Sequence, residues 1–247
     1  MNRAGLGYAD LHCHWIAGID DGCRTPEAGV ALLKGLKAIG FSTVVATPHM
    51  RPGMFENDRA ALERAYARMQ PILAAEVGLP EVFLASEHWF DDTVYARLRA
   101  GEGLPYPAKP GARLRGVLVE MNPQGFPPQL PRTFVELRRK GLFPVIAHPE
   151  RYQPVWKDDG CLDPLLDAGA RLLLDICSIV GKYGRAPQRA AEKLLEDEAY
   201  EAACSDAHKP EDLDDVARAV DRLGELVGRE ERERLLGEAP RAILEGS

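Results

Sequence analysis

The segment ADLHCHWIAGIDDG, residues 9–22, holds two of the six histidines of the chain and two adjacent aspartates. His12 and His14 are separated by one residue, so on a β-strand both side chains point to the same face. Asp20 and Asp21 follow in a loop that contains glycine. Imidazole and carboxylate groups without thiolates are typical ligands of Zn, Mn or Fe. The segment therefore predicts one part of a metal site.

Side chains of the same two types recur at the C-terminal ends of later strands predicted from the sequence. They are His49, Glu87, Glu120, His148, Asp206 and His208. A single histidine at a strand end is more often a hydrogen-bonded structural residue than a ligand. Carboxylates gathered at one buried place, however, repel one another or become neutral unless cations lie between them. We therefore expect the whole set to form a site for several metal ions.

The elements that would position these residues alternate along the chain. Short apolar runs predict seven β-strands, at 8–14, 42–48, 81–87, 115–121, 143–149, 171–177 and 200–206. Amphipathic segments predict helices from Pro26 to just before Gly40, at 59–76, near 92–100, 131–141, 161–169 and 187–198, and in a charged tail from 210. This alternation is typical of βα units around a parallel sheet. The C-terminal ends of the strands of an α/β barrel meet on one face, which would bring the predicted ligands together.

The connections between these elements indicate which face carries function. The loops 50–57 and 122–132 follow strands and are rich in Gly and Pro, as functional loops often are. The segment 101–113 precedes a strand and is expected to lie on the opposite side. The tail from 210 is expected to pack outside the barrel. Since no repeat or linker divides the sequence, residues 1–247 are expected to form one domain.

The composition is that of an ordinary globular enzyme, with 45% hydrophobic residues, 28% charged residues and a net charge of −7. An acidic protein lacks the general attraction to phosphate backbones, so we expect no nucleic-acid partner. No apolar run has the length of a signal peptide or of a membrane span, so we expect a cytoplasmic protein without membrane insertion. The five cysteines form no CxxC pair, which indicates reduced and buried thiols.

Six motifs together resemble the polymerase and histidinol phosphatase (PHP) domain. They are HCHWIAGIDDG, ATPH, SEH, VEM, HPERY and SDAH. They are most similar to the bacterial CpsB-like tyrosine phosphatases linked to capsule and exopolysaccharide production, and the resemblance extends from Asp10 to about Gly246. It implies a distorted seven-stranded α/β barrel that holds three divalent metal ions. Manganese is the first candidate, and Fe, Zn or Mg are alternatives.

The resemblance also implies how the ligands divide among the ions. They are, for the first ion, His12, His14, Glu87 and Asp206; for the second, Asp21, His49 and His208; and for the third, Glu87 again with Glu120 and His148. The second acid of GIDDG matches the family's ligand, which is why Asp21 is chosen over Asp20. Asp20 is then expected to support a ligand or to shape the loop.

The family resemblance also implies which residues bind phosphate. Arg151, in HPERY, matches a family arginine that neutralises the substrate phosphate. The family often has a further arginine after its last Asp-x-His motif, whereas only Lys209 follows that motif here. Arg51 lies where relatives commonly have a second histidine and would supply a displaced positive charge. Asp175 stands where the family usually has an amide, and the sequence does not explain this difference.

These matches imply hydrolysis of a phosphomonoester, most readily phosphotyrosine on a protein. The expected partner is the tyrosine autokinase of a polysaccharide-export system. Arg151, Asp206 and His208 are the expected catalytic residues, whereas His208, Asp206 and His88 are equal candidates for a general acid. Hydroxide activated by the metal ions would attack phosphorus, and the phenolate leaving group, with a pKa near 10, needs less protonic help than an alkoxide.

Two alternatives stay open at this point. One keeps the metal ions but takes a small monoester such as histidinol phosphate, and the other is an inactive metal-binding module that docks a partner kinase. A thiolate mechanism is excluded because no cysteine is followed by an arginine six positions later. A homo-oligomer is compatible with the sequence, which does not determine the oligomeric state.

Overall fold

Parallel strands and the helices that connect them make up residues 7–246, the part of the chain that the computed structural model describes. The strands within this part are β1 (Tyr8–Cys13), β2 (Phe41–Ala46), β3 (His49–Met50), β4 (Glu81–Leu84), β5 (Glu87–Trp89), β6 (Arg115–Glu120), β7 (Leu142–Ala147), β8 (Arg171–Asp175) and β9 (Tyr200–Cys204). They form a three-stranded sheet in the order β1-β2-β4 and a six-stranded sheet in the order β3-β5-β6-β7-β8-β9. Every pairing is parallel, which confirms the predicted α/β class.

Each of the seven predicted strand segments contains a strand, but two of them are interrupted. The segment 42–48 divides into β2 and β3, and the segment 81–87 ends as β4 before β5 begins at Glu87. Pro48 stands at the first interruption and has no N–H to donate to a neighbouring strand. Its carbonyl oxygen and that of Thr47 both lie 3.3 Å from the Glu87 nitrogen. Strands β2 and β4 therefore pair in the three-stranded sheet, whereas β3 and β5, which follow them along the chain, pair in the six-stranded sheet.

Strands β9 and β1 approach each other at their C-terminal ends. Cys13 and Ala207 form an isolated parallel bridge. The Asp206 N–H donates to the His12 carbonyl at 2.9 Å, and the His14 N–H donates to the Ala207 carbonyl at 2.9 Å. These bonds bring the ends of the first and last strands together, where both carry predicted ligands.

Most helices agree closely with the sequence predictions, whereas α5 was not predicted. They are α1 (Pro26–Ile39), α2 (Arg59–Ala74), α3 (Asp92–Ala100), α4 (Leu130–Arg139), α5 (Gln153–Lys157), α6 (Asp163–Asp167), α7 (Arg185–Glu196), α8 (Leu213–Glu233) and α9 (Ala239–Glu245). Helix α1 begins where Thr25 accepts a hydrogen bond from the Ala28 N–H, and it ends at Gly40, whose φ of 125° suits glycine. The predicted helix 161–169 is shorter, because a 3-10 turn at Asp159–Leu162 precedes α6. No helix within residues 7–246 is both long and apolar enough to cross a membrane.

Apolar side chains fill two cores. The larger core lies where the helices pack on the strands. The smaller core collects side chains from most of the strands and from outside the sheets; it includes Leu11, Val45, Leu118, Val145, Leu173, Ala202, Tyr106, Ala239 and Ile243. Tyr106 is fully buried, and its hydroxyl donates to the Leu11 carbonyl at 2.8 Å. The segment 101–113 and helix α9 therefore fill this core, although the tail was expected to pack outside the barrel.

Candidate metal centre

All nine predicted metal ligands gather at the C-terminal ends of the strands. Their ligand atoms form four overlapping groups, and within each group they lie within 4.8 Å of one another. The groups are His14, Asp21, His49 and His208; His12, His14 and Glu87; His12, His148 and Asp206; and His49, Glu87 and Glu120. Two ligands on opposite sides of one ion are separated by about 4 Å when each bond is near 2.1 Å, so this spacing suits metal ions.

The deepest part of the cluster surrounds His12. Its Nε2 atom lies 3.1 Å from His14 Nε2, 3.1 Å from Asp206 Oδ1 and 3.2 Å from Glu87 Oε2. The other oxygen of Glu87 lies 3.1 Å from His148 Nε2. These five side chains are almost completely buried. The two oxygens of Glu87 thus face different histidines, as a carboxylate that bridges two ions would.

The outer part of the cluster surrounds Asp21, whose side chain is 54% exposed. Asp21 Oδ1 lies 3.4 Å from His49 Nε2 and 3.7 Å from His208 Nε2. The rings of His14 and His208 stack with 4.2 Å between their centroids. The hydrogen bond from His49 lowers the pKa of Asp21 to about 2. Asp21 therefore carries a negative charge next to three imidazoles and is open to solvent.

Glu120 lies at the edge of the cluster, with Oε2 3.9 Å from His49 Nδ1. Burial, reinforced by the negative charge of Glu87, raises the pKa of Glu120 to about 7. The resemblance assigned Glu120 to the same ion as His148. In the structure Glu120 groups with His49 and Glu87, while His148 groups with His12 and contacts Glu87. The division of ligands among the ions stays a prediction.

Unpaired polar atoms support a cation at this place. Asp206 Oδ1 and Glu120 Oε2 are buried, and neither has a hydrogen bond of acceptable geometry within the described chain. Buried carboxylate oxygens are nearly always satisfied by donors or ions. In addition, the Nε2 atoms of His12 and His14 face each other beside two carboxylates. The mixed nitrogen and oxygen donors fit divalent metal ions.

Asp20 supports the ligands, as the sequence predicted. Its Oδ2 atom lies 2.8 Å from His14 Nδ1 and accepts a hydrogen bond from the His49 N–H at 3.1 Å. Its Oδ1 atom accepts from the Gly22 N–H. A Cβ atom at Gly22 would lie 2.1 Å from the His14 carbonyl oxygen, so only glycine fits there. Asp20 thereby fixes the orientation of one imidazole and the backbone of the next ligand.

Asp10 is a buried carboxylate that the sequence analysis did not select. It accepts hydrogen bonds from the N–H groups of His12 and Ser205, and the Ser205 hydroxyl donates to it at 2.5 Å. Burial raises the pKa of Asp10 to about 6. The residue ties β1 to the segment that carries Asp206. Its position two residues before His12 was the available signal, because that spacing places both on one face of the strand.

Two predicted ligands have backbone conformations that are rare for residues other than glycine. His148 has a φ of 36° and Asp206 a φ of 46°. Such left-handed conformations cost of order 1–3 kcal/mol each and occur mainly at functional sites. At both positions the chain turns sharply just after a strand, and the turn directs the side chain into the cluster.

Arg151 lies beside the cluster in a well-defined setting. Its Nη2 atom is 2.7 Å from Asp206 Oδ2 and contacts the Asp175 carboxylate. Its guanidinium lies over the Tyr183 ring, 3.7 Å from the centroid. Its Nε atom is buried and lacks a hydrogen-bond partner within residues 7–246. Asp175, which the sequence left unexplained, is thus a partner of Arg151, and 22% of the arginine side chain stays exposed beside the cluster.

Glu150, the residue before Arg151, is a second buried acid that the sequence analysis did not select. Its carboxylate accepts hydrogen bonds from the Asp175 N–H, the Ser178 hydroxyl and the Tyr200 hydroxyl. Burial, followed by the charge of Asp175, raises the pKa of Glu150 to about 7. The network joins the turn that carries Arg151 to β8 and β9, and it therefore fixes the backbone beneath the arginine.

The two other predicted phosphate-binding residues differ in position. The Arg51 guanidinium lies 3.6 Å from the centroid of the Trp89 ring, and its Nη1 atom is 4.0 Å from Glu120 Oε2. It therefore borders the metal cluster. Lys209 is exposed, and its backbone N–H donates to Asp212 at 3.2 Å. Lys209 follows the ligand His208 directly, but no contact between its side chain and the cluster is found in the described part of the chain.

His88 is a structural residue. It is fully buried, with Nδ1 2.8 Å from the Leu118 carbonyl, and its Nε2 accepts a hydrogen bond from the Leu104 N–H at 3.1 Å. Burial lowers the pKa of His88 to about 4. Because both ring nitrogens are engaged by backbone groups, the proposal that His88 acts as a general acid was wrong. Asp206 and His208 are the candidates that remain.

The sequence matches a known protein family and several of its members. The family model for capsular polysaccharide synthesis proteins, CpsB/CapC, matches residues 8–245. Curated relatives include the tyrosine-protein phosphatase YwqE of Bacillus subtilis (strain 168), 27% identical over 81% of this chain and 76% of the relative. They also include the tyrosine-protein phosphatase CpsB of Streptococcus pneumoniae, 25% identical over 95% of this chain and 97% of the relative.

Solved structures share the fold. A chain from the crystal structures of YwqE from Bacillus subtilis and CpsB from Streptococcus pneumoniae, described as unique metal-dependent tyrosine phosphatases, superposes with a TM-score of 0.85 at 24% identity. The match covers 97% of this chain and 95% of that one. The phosphotriesterase homology protein from Escherichia coli, complexed with phosphate, superposes with a TM-score of 0.62 at 13% identity, over 97% and 99% of the two chains. The arrangement of parallel strands is therefore a known scaffold.

Proposed function

Because the chain belongs to the CpsB/CapC family of capsular polysaccharide synthesis, we propose that it is a metal-dependent protein-tyrosine phosphatase. The single observation that carries this proposal is the position of Arg151 next to nine converging metal ligands. Phosphoryl transfer requires concentrated positive charge around the phosphorus and little covalent help from the protein. A cluster built to hold cations, flanked by a fixed guanidinium, supplies such an environment.

We propose that the nine ligands hold three divalent ions, most readily manganese, with Fe, Zn or Mg as alternatives. The division proposed is that implied by the family resemblance, with Glu87 shared between two ions. When bound, such ions neutralise phosphoryl oxygens and lower the pKa of water from 15.7 towards about 7. The buried and unpaired oxygens of Asp206 and Glu120 support this proposal.

The side chains of the protein have distinct parts in the reaction. Arg151 binds a phosphoryl oxygen through the exposed part of its guanidinium, while Asp175 and Tyr183 keep the group in place. Arg51 is proposed to add positive charge on the opposite side of the phosphate, and Lys209 to attract the substrate from the exposed rim. His208 and Asp206 are the candidates for the residue that donates a proton to the leaving phenolate.

The substrate proposed is phosphotyrosine on a protein, and the partner is the tyrosine autokinase of a polysaccharide-export system. The exposure of the site supports a large substrate, since the side chains of Asp21 and His208 are 54% and 28% exposed. A phosphorylated residue on a protein surface can enter such an open site. A small monoester such as histidinol phosphate is the second candidate, and the length of the loops on this face is compatible with it.

We also propose that the two sheets form one distorted barrel, which the bridge between Cys13 and Ala207 supports. A cytoplasmic location is proposed because the five cysteines are free thiols. Burial raises the pKa of Cys23 to about 12 and that of Cys161 to about 11. Such thiols are poor nucleophiles near neutral pH, which agrees with a metal mechanism rather than a thiolate mechanism.

Chelation separates the proposed mechanism from its rivals. Hydrolysis of a phosphotyrosine peptide should stop after dialysis against a chelator, return when manganese is added, and continue after thiol alkylation. Loss of activity on alkylation with full activity in chelator would contradict the metal mechanism. Comparing kcat/KM for the peptide and for histidinol phosphate then selects between the two substrate classes, and a purified protein without turnover on any aryl phosphate would favour an inactive binding module.

A further inference from the structure

A groove of about 390 Å³ lies between α5 and α7, next to the proposed phosphate site. One wall carries Trp156, Lys157, Asp158 and Asp159, and the other carries Ala186, Arg189 and Lys193. The residues on α7 recur at a spacing of three and four, so they share one face of that helix. Helices α5 and α7 follow strands β7 and β8, and they therefore begin on the face that carries the metal ligands.

The groove is continuous with the setting of Arg151. The Trp156 ring is 42% exposed, and its Nε1–H donates to the Glu150 carbonyl at 2.7 Å. This bond fixes an apolar ring one residue away from Arg151. On the other wall, α7 begins two residues after Tyr183, the ring on which Arg151 stacks. Each wall of the groove is therefore joined to a residue that neighbours or contacts Arg151.

Three cations and two carboxylates line the groove, so its charge is slightly positive in a protein whose net charge is negative. The Asp158 carboxylate accepts a hydrogen bond from the Gly160 N–H. Lys157 and Arg189 are exposed, and neither has a salt-bridge partner within residues 7–246. The other lining cation, Lys193, is neutralised by Asp159 at 3.2 Å. Arg185, one turn before Arg189 on α7, is exposed as well. A protein with a net charge of −7 thus presents unpaired cations beside an exposed indole ring.

We propose that this groove binds acidic residues flanking the phosphotyrosine of a peptide substrate, an inference that rests on the phosphatase function proposed above. Carboxylates of the peptide pair with Lys157 and Arg189, and its backbone packs on the Trp156 ring, whose face offers apolar area at low entropic cost. The groove thereby selects substrates by sequence context, while the metal centre recognises the phosphate itself.

The test uses the metal-loaded enzyme and three substrates. Two are phosphotyrosine peptides that differ only in having acidic or neutral flanking residues, and the third is p-nitrophenyl phosphate. The wild-type kcat/KM should be about five- to tenfold higher for the acidic peptide, the gain expected from two exposed ion pairs. The double variant Lys157→Glu, Arg189→Glu should lose or reverse this preference and should hydrolyse p-nitrophenyl phosphate at the wild-type rate.

The double variant Arg64→Glu, Arg68→Glu is the matched control, because it changes the net charge by the same amount. Both arginines are exposed on α2, which packs beside α1 and not beside the groove. This variant should keep the preference for the acidic peptide. Equal wild-type rates on the two peptides, with p-nitrophenyl phosphate hydrolysed, would overturn the groove proposal and leave the phosphatase proposal intact. Loss of the preference in the control variant would also overturn it, because the effect would then be one of net charge. Absence of hydrolysis of all three substrates would overturn both proposals.

Discussion

Arg151 is the residue whose setting is best explained by substrate binding. Two carboxylates and an aromatic ring fix its guanidinium, yet its Nε atom has no hydrogen-bond partner within the described chain. A buried donor without a partner costs free energy, and such a group is commonly kept for a ligand. Because 22% of the side chain is also exposed beside the predicted ligands, this setting supports a role in substrate binding.

Arg151→Ala should lower kcat/KM for a phosphotyrosine peptide by about 100-fold or more, the usual effect of losing one charge-stabilising donor. Metal content, measured by elemental analysis, should stay at the wild-type value. Arg51→Ala should have a smaller effect, since its guanidinium stacks on Trp89 at the edge of the cluster. Loss of bound metal in Arg151→Ala would instead identify a structural role.

His88 should make stability depend on pH. Its folded pKa of about 4 is below the unfolded value of 6.5, so the unfolded chain binds the proton first as the pH falls. Stability is therefore complete above pH 6.5 and is lost below it, by about 2 kcal/mol at pH 5. Urea unfolding at pH 7.5 and pH 5 measures this loss. His88→Gln should show a loss smaller by about that amount, whereas an unchanged loss would assign the pH dependence to other groups.

The convergence of the predicted ligands could be foreseen from the sequence, whereas the partners that hold Asp10 and Glu150 could not. His12, His14 and Asp206 stand at strand ends with alternate spacing, a local pattern that a single segment reveals. Asp10 is explained only by Ser205, which is 195 residues away along the chain. Glu150 likewise depends on Tyr200, 50 residues away. The spacing of Asp10 from His12 was a local signal, but the distant partners of both carboxylates have no signature in the neighbouring sequence.

At the level of elements, the apolar alternation predicted seven strand segments correctly and missed two interruptions. Pro48 was evident in the sequence. Whether it interrupts a strand depends on whether an adjacent strand must accept a hydrogen bond at that position, which only the strand pairing of the folded protein determines. The tail from 210, which includes helix α9, was expected to pack outside the barrel because it is charged and helical. Ala239 and Ile243 are buried among residues of the strands, a tertiary contact that the spacing of apolar residues along the sequence does not predict.

Helix α9 should contribute strongly to stability. Ile243 is fully buried in the smaller core, so Ile243→Ala should lower the free energy of unfolding by about 2–5 kcal/mol. Leu226→Ala, at a side chain that is 36% exposed on α8, is the control and should cost much less. Urea denaturation of the two variants measures the difference. Equal costs would mean that α9 is not an integral part of the fold.

For the molecule as a whole, metal binding and folding should be linked. The cluster gathers buried carboxylates whose repulsion only cations relieve, so ligation of the native state stabilises it. At a manganese concentration 100-fold above Kd, one site adds about 2.7 kcal/mol, or a rise in Tm of roughly 5–10 °C for a chain of this size. Thermal unfolding of the apoprotein with increasing manganese measures this rise.

Glu120→Gln separates ion binding from a general salt effect. The variant removes a carboxylate whose pKa is raised to about 7 by burial, so its apoprotein should be no less stable than the wild type. Its stabilisation by manganese should be smaller, because one ligand is lost. An unchanged Tm of the wild-type protein with Mn, Fe, Zn and Mg alike would contradict the metal centre.

Organisation of residues 1–247 as one domain stays a prediction.

The hydrogen bonds between Asp10 and Ser205 also set an order of events during synthesis. His12 and His14 leave the ribosome early, but the segment that carries Asp206 and His208 emerges about 190 residues later, which takes about 10 to 40 s at roughly 5 to 20 residues per second. Until then the first strand lacks its neighbour at the face of the predicted ligands. The predicted ligand set is therefore complete only when almost the whole chain has been synthesised.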